Sequence, residues 1–140
     1  MKNKTVSTWL TFLGGALGLH RFYLKGWADK LGWMVQIPSC LGLYGIYRVQ
    51  IYGLDDMWSW VLLPLLGFTA SACSINALYF GLMSAERWNQ LFNPNAEVND
   101  PAGSTGWLTV IGLATALLGG TTILISSIAF SFQRFFEMSV

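Results

Sequence analysis

The sequence predicts an all-α integral membrane protein with four transmembrane helices, the second of them kinked or re-entrant. The composition favours this class, because 54% of the 140 residues are hydrophobic and only 11% are charged. A soluble domain typically carries about 25% charged residues. Four apolar segments follow one another along the chain, and the tryptophans lie close to their ends. Membrane proteins concentrate tryptophan at the two interfaces in this way.

The first apolar segment covers residues 5–19, which are 15 residues without a charge. A transmembrane helix needs about 20 apolar residues. We therefore expect the first helix to continue through residues 20–23 and to end at the polar interface, where aromatic rings and a long arginine side chain are tolerated.

The second segment covers residues 31–47, and Gln36 and Pro38 interrupt its apolar character. Proline inside a helix removes a backbone hydrogen bond and kinks or breaks the helix. The sequence therefore predicts a break near Pro38, within either a kinked crossing helix or a re-entrant half-helix.

The third and fourth segments are the longest. Residues 57–85 and 107–132 contain no charge, and both ranges are predicted to be continuous transmembrane helices. Asp55 and Asp56 precede the third helix, where carboxylates cap free N–H groups. The polar, turn-rich residues between these helices, near 93–105, are predicted to form the one substantial solvent loop.

Small residues recur at every fourth position in several segments, and such spacing lets membrane helices approach closely. We expect these residues to face another helix, either of the same chain or of a second copy. Asn76, near the middle of the third helix, is expected to hydrogen-bond another helix. No internal repeat is predicted. The spaced small residues are Gly14 and Gly18 in the first segment, and Gly112, Ala116 and Gly120 in the fourth.

The polar residues that follow the first segment are the main functional candidates. His20 is the only histidine, and no second histidine, cysteine or acid lies at metal-ligand spacing from it. No catalytic residue, metal site or cofactor is therefore predicted. We expect His20 and Arg21 to anchor the helix end, with Arg21 meeting a lipid phosphate or an acid of residues 84–106. Phe22 and Tyr23 are expected to be interfacial anchors.

The string Gly15-x-x-Gly18-x-His20-Arg21-Phe22-Tyr23-x-x-Gly26 resembles the core motif of the TM-two domain family. This resemblance implies that residues 1–56 form a pair of membrane helices joined by a short polar connection. It also implies that residues 57–140 are a two-helix extension of the kind found in bacterial members. The family has no agreed enzymatic activity.

These observations predict a non-enzymatic structural or accessory membrane protein that acts through helix packing. Its expected partners are the lipid bilayer and either a second copy or another membrane protein. The net charge of +1 argues against nucleic acid. Two alternatives remain open. One is a small homo-oligomeric transporter or channel, with a cavity lined by Asn76, Gln36 or His20. The other is a lipid-modifying enzyme that pairs His20 with Asp55 or Asp56.

The expected location is the bacterial inner membrane. With four crossings, lysine and arginine number four on each side, so the positive-inside rule gives a tie. Lys2 and Lys4 flank the first segment to insert, and they favour both chain termini in the cytoplasm.

Overall fold

The computed structural model describes residues 1–140 and confirms the all-helical fold. It contains no strand. Two single 3-10 turns, Gly15–Leu17 and Pro101–Gly103, lie between the helices. The six α-helices are α1 (Lys4–Gly14), α2 (Leu19–Lys25), α3 (Lys30–Tyr52), α4 (Met57–Leu82), α5 (Ala85–Phe92) and α6 (Trp107–Ser139).

Helix α4 is the centre of one bundle and packs against α1, α3 and α6. The 1–56 and 57–140 portions are therefore not separate units. Helices α4 and α6 run antiparallel, because Gly67 lies against Ser127 and Gly81 lies against Leu113. The bundle has two ends. The turn end contains residues 53–56, and the loop end contains residues 83–106.

The first segment does not run through the bundle, and the expectation of four crossing helices is wrong in this respect. Helix α1 begins at the loop end, where the Lys4 ammonium donates to the Met83 carbonyl at 2.8 Å. Helix α2 returns to the same end, and the Asn3 N–H donates to the Tyr23 hydroxyl at 2.9 Å. Residues 4–25 therefore form a helical hairpin, here called the N-terminal hairpin. Only α3, α4 and α6 run between the two ends.

Glycines at the tip of the N-terminal hairpin allow the chain to reverse. After the 3-10 turn Gly15–Leu17, Gly18 has a φ of +73°, in the left-handed region that favours glycine. A Cβ atom on Gly18 would lie 2.4 Å from the backbone oxygen of Gly32. The glycine motif therefore ends α1 and brings the tip onto α3, which explains why the first segment is broken.

Helix α3 supplies the hydrogen bonds that the backbone of this tip needs. The Ser39 hydroxyl donates to the Ala16 carbonyl at 2.6 Å, and the Gln36 amide donates to the Leu17 carbonyl at 3.0 Å. Non-helical backbone is tolerated within a membrane protein where such partners surround it. Gln36, which made the second segment less apolar, thus completes the first together with Ser39.

The predicted break near Pro38 is wrong, because α3 is continuous from Lys30 to Tyr52 with Pro38 inside it. Proline removes one backbone N–H donor, and the rest of the helical ladder persists. Close packing supports the helix beyond this point. A Cβ atom on Gly42 would lie 2.4 Å from Leu66 Cβ, so α3 and α4 approach at van der Waals distance.

Helices α4 and α6 are the two that are long and apolar enough to cross a membrane. The Asp56 carboxylate caps α4 by accepting from the Ser59 N–H at 3.1 Å, as predicted. Helix α4 ends at Leu82, and the chain then turns into the separate helix α5. Helix α6 begins after Gly106 and extends beyond the predicted end at residue 132.

A lysine closes the base of the N-terminal hairpin. The Lys4 side chain is fully buried, and its ammonium donates to the Met83 carbonyl at 2.8 Å and to the Thr105 hydroxyl at 2.5 Å. A buried acceptor that loses its donor, such as the Met83 carbonyl, keeps the full cost of desolvation. Lys4→Met keeps the length of the side chain but removes both bonds. We expect it to lower the free energy of unfolding in detergent micelles by about 1–3 kcal/mol.

Lys25→Met is the control for this prediction, because Lys25 is an exposed lysine of the same hairpin. We expect its unfolding curve in a denaturant titration to match that of the wild type. Equal stability of the two variants would show that the Lys4 ammonium does not hold the hairpin base.

Candidate functional site

A cavity of about 330 Å³ lies between α2, α3 and α4, beside the N-terminal hairpin. Its walls are polar in one part and apolar in another. The polar side chains come from His20 and Arg21 of α2 and from Thr69 and Asn76 of α4. The apolar part is formed by Val35, Pro38, Phe68 and Ala72.

His20 is the most deeply buried polar side chain of this cavity, with 3% of its surface exposed. Its ring lies 6.3 Å from the ring of Phe80, measured between centroids. The Nδ1 atom is buried and has no hydrogen-bond partner in the chain. Buried polar atoms in folded proteins are usually paired, but the chain itself supplies no partner for Nδ1.

Arg21 also has a free donor. Its Nε atom bonds the Asp29 carboxylate at 2.6 Å, whereas its buried Nη2 atom has no partner. The expected contact of Arg21 with an acid of residues 84–106 is therefore wrong. Asp29 lies only eight residues further along the chain and also caps α3 through the Gly32 N–H at 3.1 Å. The nearer acid forms the ion pair.

The turn end contains a second ion pair of the same construction. Arg48 binds Asp56 through two bonds, Nε to Oδ2 at 2.8 Å and Nη2 to Oδ1 at 2.9 Å. Here the guanidinium gives both Nε and Nη2 to the carboxylate, so Arg48 has no counterpart of the free Nη2 atom of Arg21.

The two ion pairs have the same effect on their carboxylates. The hydrogen bond from Arg48 lowers the pKa of Asp56, and that from Arg21 lowers the pKa of Asp29. An unfolded aspartate has a pKa of about 3.9. A depressed folded pKa stabilises the protein above that value, and the stabilisation is lost as the pH falls through the folded pKa. Both ion pairs therefore persist at neutral and mildly acidic pH.

These ion pairs belong to a repeat that the sequence prediction missed. Residues 15–33 and 42–60 share six identical positions, each 27 residues after its counterpart. The second turn repeats the first in detail, since the indole of Trp33 donates to the Trp27 carbonyl and that of Trp60 to the Leu54 carbonyl. The shared pairs are Gly15 and Gly42, Gly18 and Gly45, Arg21 and Arg48, Gly26 and Gly53, Asp29 and Asp56, and Trp33 and Trp60.

The other residues of the glycine and aromatic motif have structural contacts. Phe22 is buried, and its ring centroid lies 5.1 Å from that of Trp27 and 5.2 Å from that of Trp33. Gly26 ends α2 with a φ of +87°. Gly14 lies against Leu19 within the hairpin. Phe22 is therefore part of the packing between α2 and α3.

The small residues of α6 face helices of the same chain. Gly112 lies against Trp9 of α1, and Gly120 lies against Ser74 of α4. Ala116, between them, is fully buried. Asn76 is exposed on α4 and lines the cavity with His20.

The structure separates the residues that the lipid-modifying alternative requires to meet. His20 lies beside the start of α3, whereas Asp55 and Asp56 follow the end of that helix. A helix of 23 residues is about 35 Å long. Asp55 is exposed, and Asp56 binds Arg48. His20 therefore has no acid partner at the turn end.

The cavity combines residues that a sequence motif marks with residues that it does not. His20 and Arg21 belong to the motif, whereas Thr69 and Cys73 are ordinary small side chains of a long apolar helix.

No known protein family, curated protein or solved structure was found to match this chain.

Proposed function

We propose that this chain is a multi-pass protein of the bacterial inner membrane, with α3, α4 and α6 as its crossing helices. Helix α3 is about 35 Å long, which exceeds the hydrocarbon thickness of about 30 Å. The N-terminal hairpin enters and leaves at the loop end. Its first helix has 11 residues and is therefore about 17 Å long, just over half of that thickness.

The distribution of basic residues favours a cytoplasmic loop end, because cytoplasmic segments carry an excess of lysine and arginine. Because the hairpin folds back to the loop end, that end has six lysine and arginine residues and the turn end has two, instead of four on each side. The N-terminal residues then lie in the cytoplasm, and residue 140 lies on the opposite side, which replaces the expectation of two cytoplasmic termini. The loop end has Lys2, Lys4, Arg21, Lys25, Lys30 and Arg87, and the turn end has Arg48 and Arg134.

Within the membrane the chain acts as a non-enzymatic structural or accessory component. The N-terminal hairpin is bonded at its base through Lys4 and at its tip through Ser39 and Gln36. A segment fixed at both places is a static part of the bundle. This arrangement supports a packing role in preference to a gated one.

An outward row of large apolar residues on α6 is the observation that carries this role. The row has a spacing of seven residues, which keeps it on one face of a helix that packs against another. Its members are all exposed, whereas the small residues of α6 are used inside the chain. The row consists of Ile111, Leu118, Ile125 and Phe132.

Cysteine cross-linking in native membranes tests whether α6 contacts a partner through this row. We expect Ile125→Cys, in a background with Cys40→Ala, to form a cross-linked species heavier than the 15.5 kDa chain. Mass measurement after mild-detergent purification then distinguishes a second copy from another membrane protein. The remaining Cys73 is buried and does not interfere.

Leu41→Cys in the same background is the matched control, because Leu41 is an exposed apolar residue near the middle of α3. We expect no cross-link at this position. Monomeric product from both variants would contradict a role in helix packing, and equal cross-linking from both would show random collision in the membrane.

A small homo-oligomeric transporter or channel is the second candidate, and the cavity favours it. A transport route needs polar groups inside the membrane region, and His20 and Asn76 line this cavity together. Gln36, the third residue expected there, instead bonds the hairpin tip. Flux of small ions into vesicles that contain the purified protein would support this candidate over the static role.

A further inference from the structure

We infer that the cavity beside the N-terminal hairpin binds the phosphate group of one phospholipid, a property that goes beyond the packing role proposed above. The first observation is a pair of unused donors in one place. The buried Nδ1 atom of His20 and the Nη2 atom of Arg21 both lack a partner, and both residues line the cavity.

These groups suit a phosphate oxyanion. A guanidinium binds phosphate through directed N–H groups, and charge-assisted bonds of this kind are the strong ones. His20 adds a donor in the tautomer with its proton on Nδ1, and the Asn76 amide adds another from the facing wall. Three donors of this kind match the acceptor oxygens of a phosphodiester.

The order of residues along α4 favours a lipid over a free anion. Asn76 lies nearer the loop end than Phe68, and the eight residues between these positions correspond to about 12 Å along the helix. Thr69 lies beside Phe68, but its hydroxyl donates to the Leu65 carbonyl at 2.7 Å. The other polar residues thus lie toward the interface, and Phe68, Val35 and Pro38 extend from them toward the bundle centre. A headgroup phosphate followed by an acyl chain has the same polar-to-apolar order.

Arg21 is held in position for this contact. Its ion pair with Asp29 uses Nε and fixes the guanidinium at the start of α3, and Nη2 keeps no partner in the chain. The equivalent Arg48 donates from both Nε and Nη2 to Asp56, and it lines no such cavity. Of the two repeated turns, only the one in contact with the N-terminal hairpin therefore has an arginine Nη2 atom without a partner.

Native mass spectrometry of the full chain in detergent tests this inference. The probes are phosphatidylglycerol, a diacylglycerol with the same acyl chains and no phosphate, and inorganic phosphate. We expect one phosphatidylglycerol per chain, bound at least about tenfold more tightly than the diacylglycerol, which is the difference that one charge-assisted hydrogen bond makes. Inorganic phosphate at the same concentration is expected to leave the protein unbound.

Three variants identify the site. Asn76→Leu removes a donor from an exposed position without opening the packed interior, and we expect about tenfold weaker phosphatidylglycerol binding. Arg21→Gln is expected to weaken binding at least as much. Arg48→Gln breaks the matching ion pair at the turn end, away from the cavity, and is expected to bind like the wild type.

Three results would overturn the inference. If the diacylglycerol bound as tightly as phosphatidylglycerol, the site would be an apolar groove that does not recognise the phosphate. Unchanged affinity for phosphatidylglycerol in both Asn76→Leu and Arg21→Gln would show that the lipid binds at another surface. Binding of inorganic phosphate that excludes phosphatidylglycerol would identify the ligand as a free anion.

Discussion

Gly18→Ala is expected to lower the free energy of unfolding by about 2–5 kcal/mol. Two costs combine at this position. An alanine strains the left-handed backbone at φ +73°, and its Cβ atom meets the Gly32 oxygen at 2.4 Å. That contact is with backbone, so no side-chain rotation relieves it. Denaturant titration of the purified variant in micelles measures the loss.

Gly26→Ala is the control, because Gly26 also has a positive φ, +87°, and nothing lies within 4 Å of the position of its Cβ atom. This substitution strains the backbone but brings the new Cβ atom against no other group. We expect Gly18→Ala to be the less stable of the two. A loss in Gly18→Ala of no more than about 1–2 kcal/mol, the cost of the left-handed backbone alone, would show that the hairpin tip does not approach α3 as closely as described.

Trp88→Ala is expected to cost about 3–5 kcal/mol, as large-to-small changes of buried aromatic residues do. Trp88 is the largest fully buried side chain. Its ring packs against Phe80 and Phe92, and its indole N–H donates to the Lys2 carbonyl at 2.9 Å. Loss of this ring leaves a void between α4, α5 and the start of the chain. Thermal unfolding followed by circular dichroism gives the change.

Two further variants separate the contributions of Trp88. Trp88→Phe retains an aromatic ring but loses the donor to Lys2, and we expect a smaller loss than for alanine. Trp107→Ala removes a tryptophan that is 84% exposed and is expected to change stability little. Similar losses in Trp88→Ala and Trp107→Ala would show that burial of the α5 ring does not stabilise this end of the bundle.

The long apolar helices were predictable because every residue in them contributes to the same signal. Helices α4 and α6 could be predicted without knowing which residues they contact. The capping of α4 by Asp56 was predictable for a similar reason, since it depends on residues three positions apart. Local rules are sufficient where the interaction itself is local.

The N-terminal hairpin was missed because its glycines permit two structures. Small residues such as Gly14 and Gly18 allow either close helix packing or a break, and the difference depends on α3. The tip is stable only because Gln36 and Ser39 donate to its carbonyls from residues 19 and 23 positions further along. Gln36 and Pro38 made the second segment look interrupted, so the break was assigned to the wrong segment.

The candidate site was half predictable. The motif identified His20 and Arg21, whose polarity stands out beside an apolar segment. Thr69 and Phe68 carry no such signal, because their place in the cavity depends on how α4 packs against the hairpin. The 27-residue repeat was visible in principle, but six scattered identities are easily lost among common membrane residues.

The bonding of the N-terminal hairpin has a consequence for synthesis of the protein. Lys4 bonds Thr105, which lies 101 positions later in the chain. At a translation rate of about 5–20 residues per second, the ribosome needs roughly 5–20 s to make that interval. During this time the hairpin waits, first without α4 and then without the loop that closes its base. The N-terminal hairpin is therefore made before its partners and is among the last elements of the fold to reach its final position.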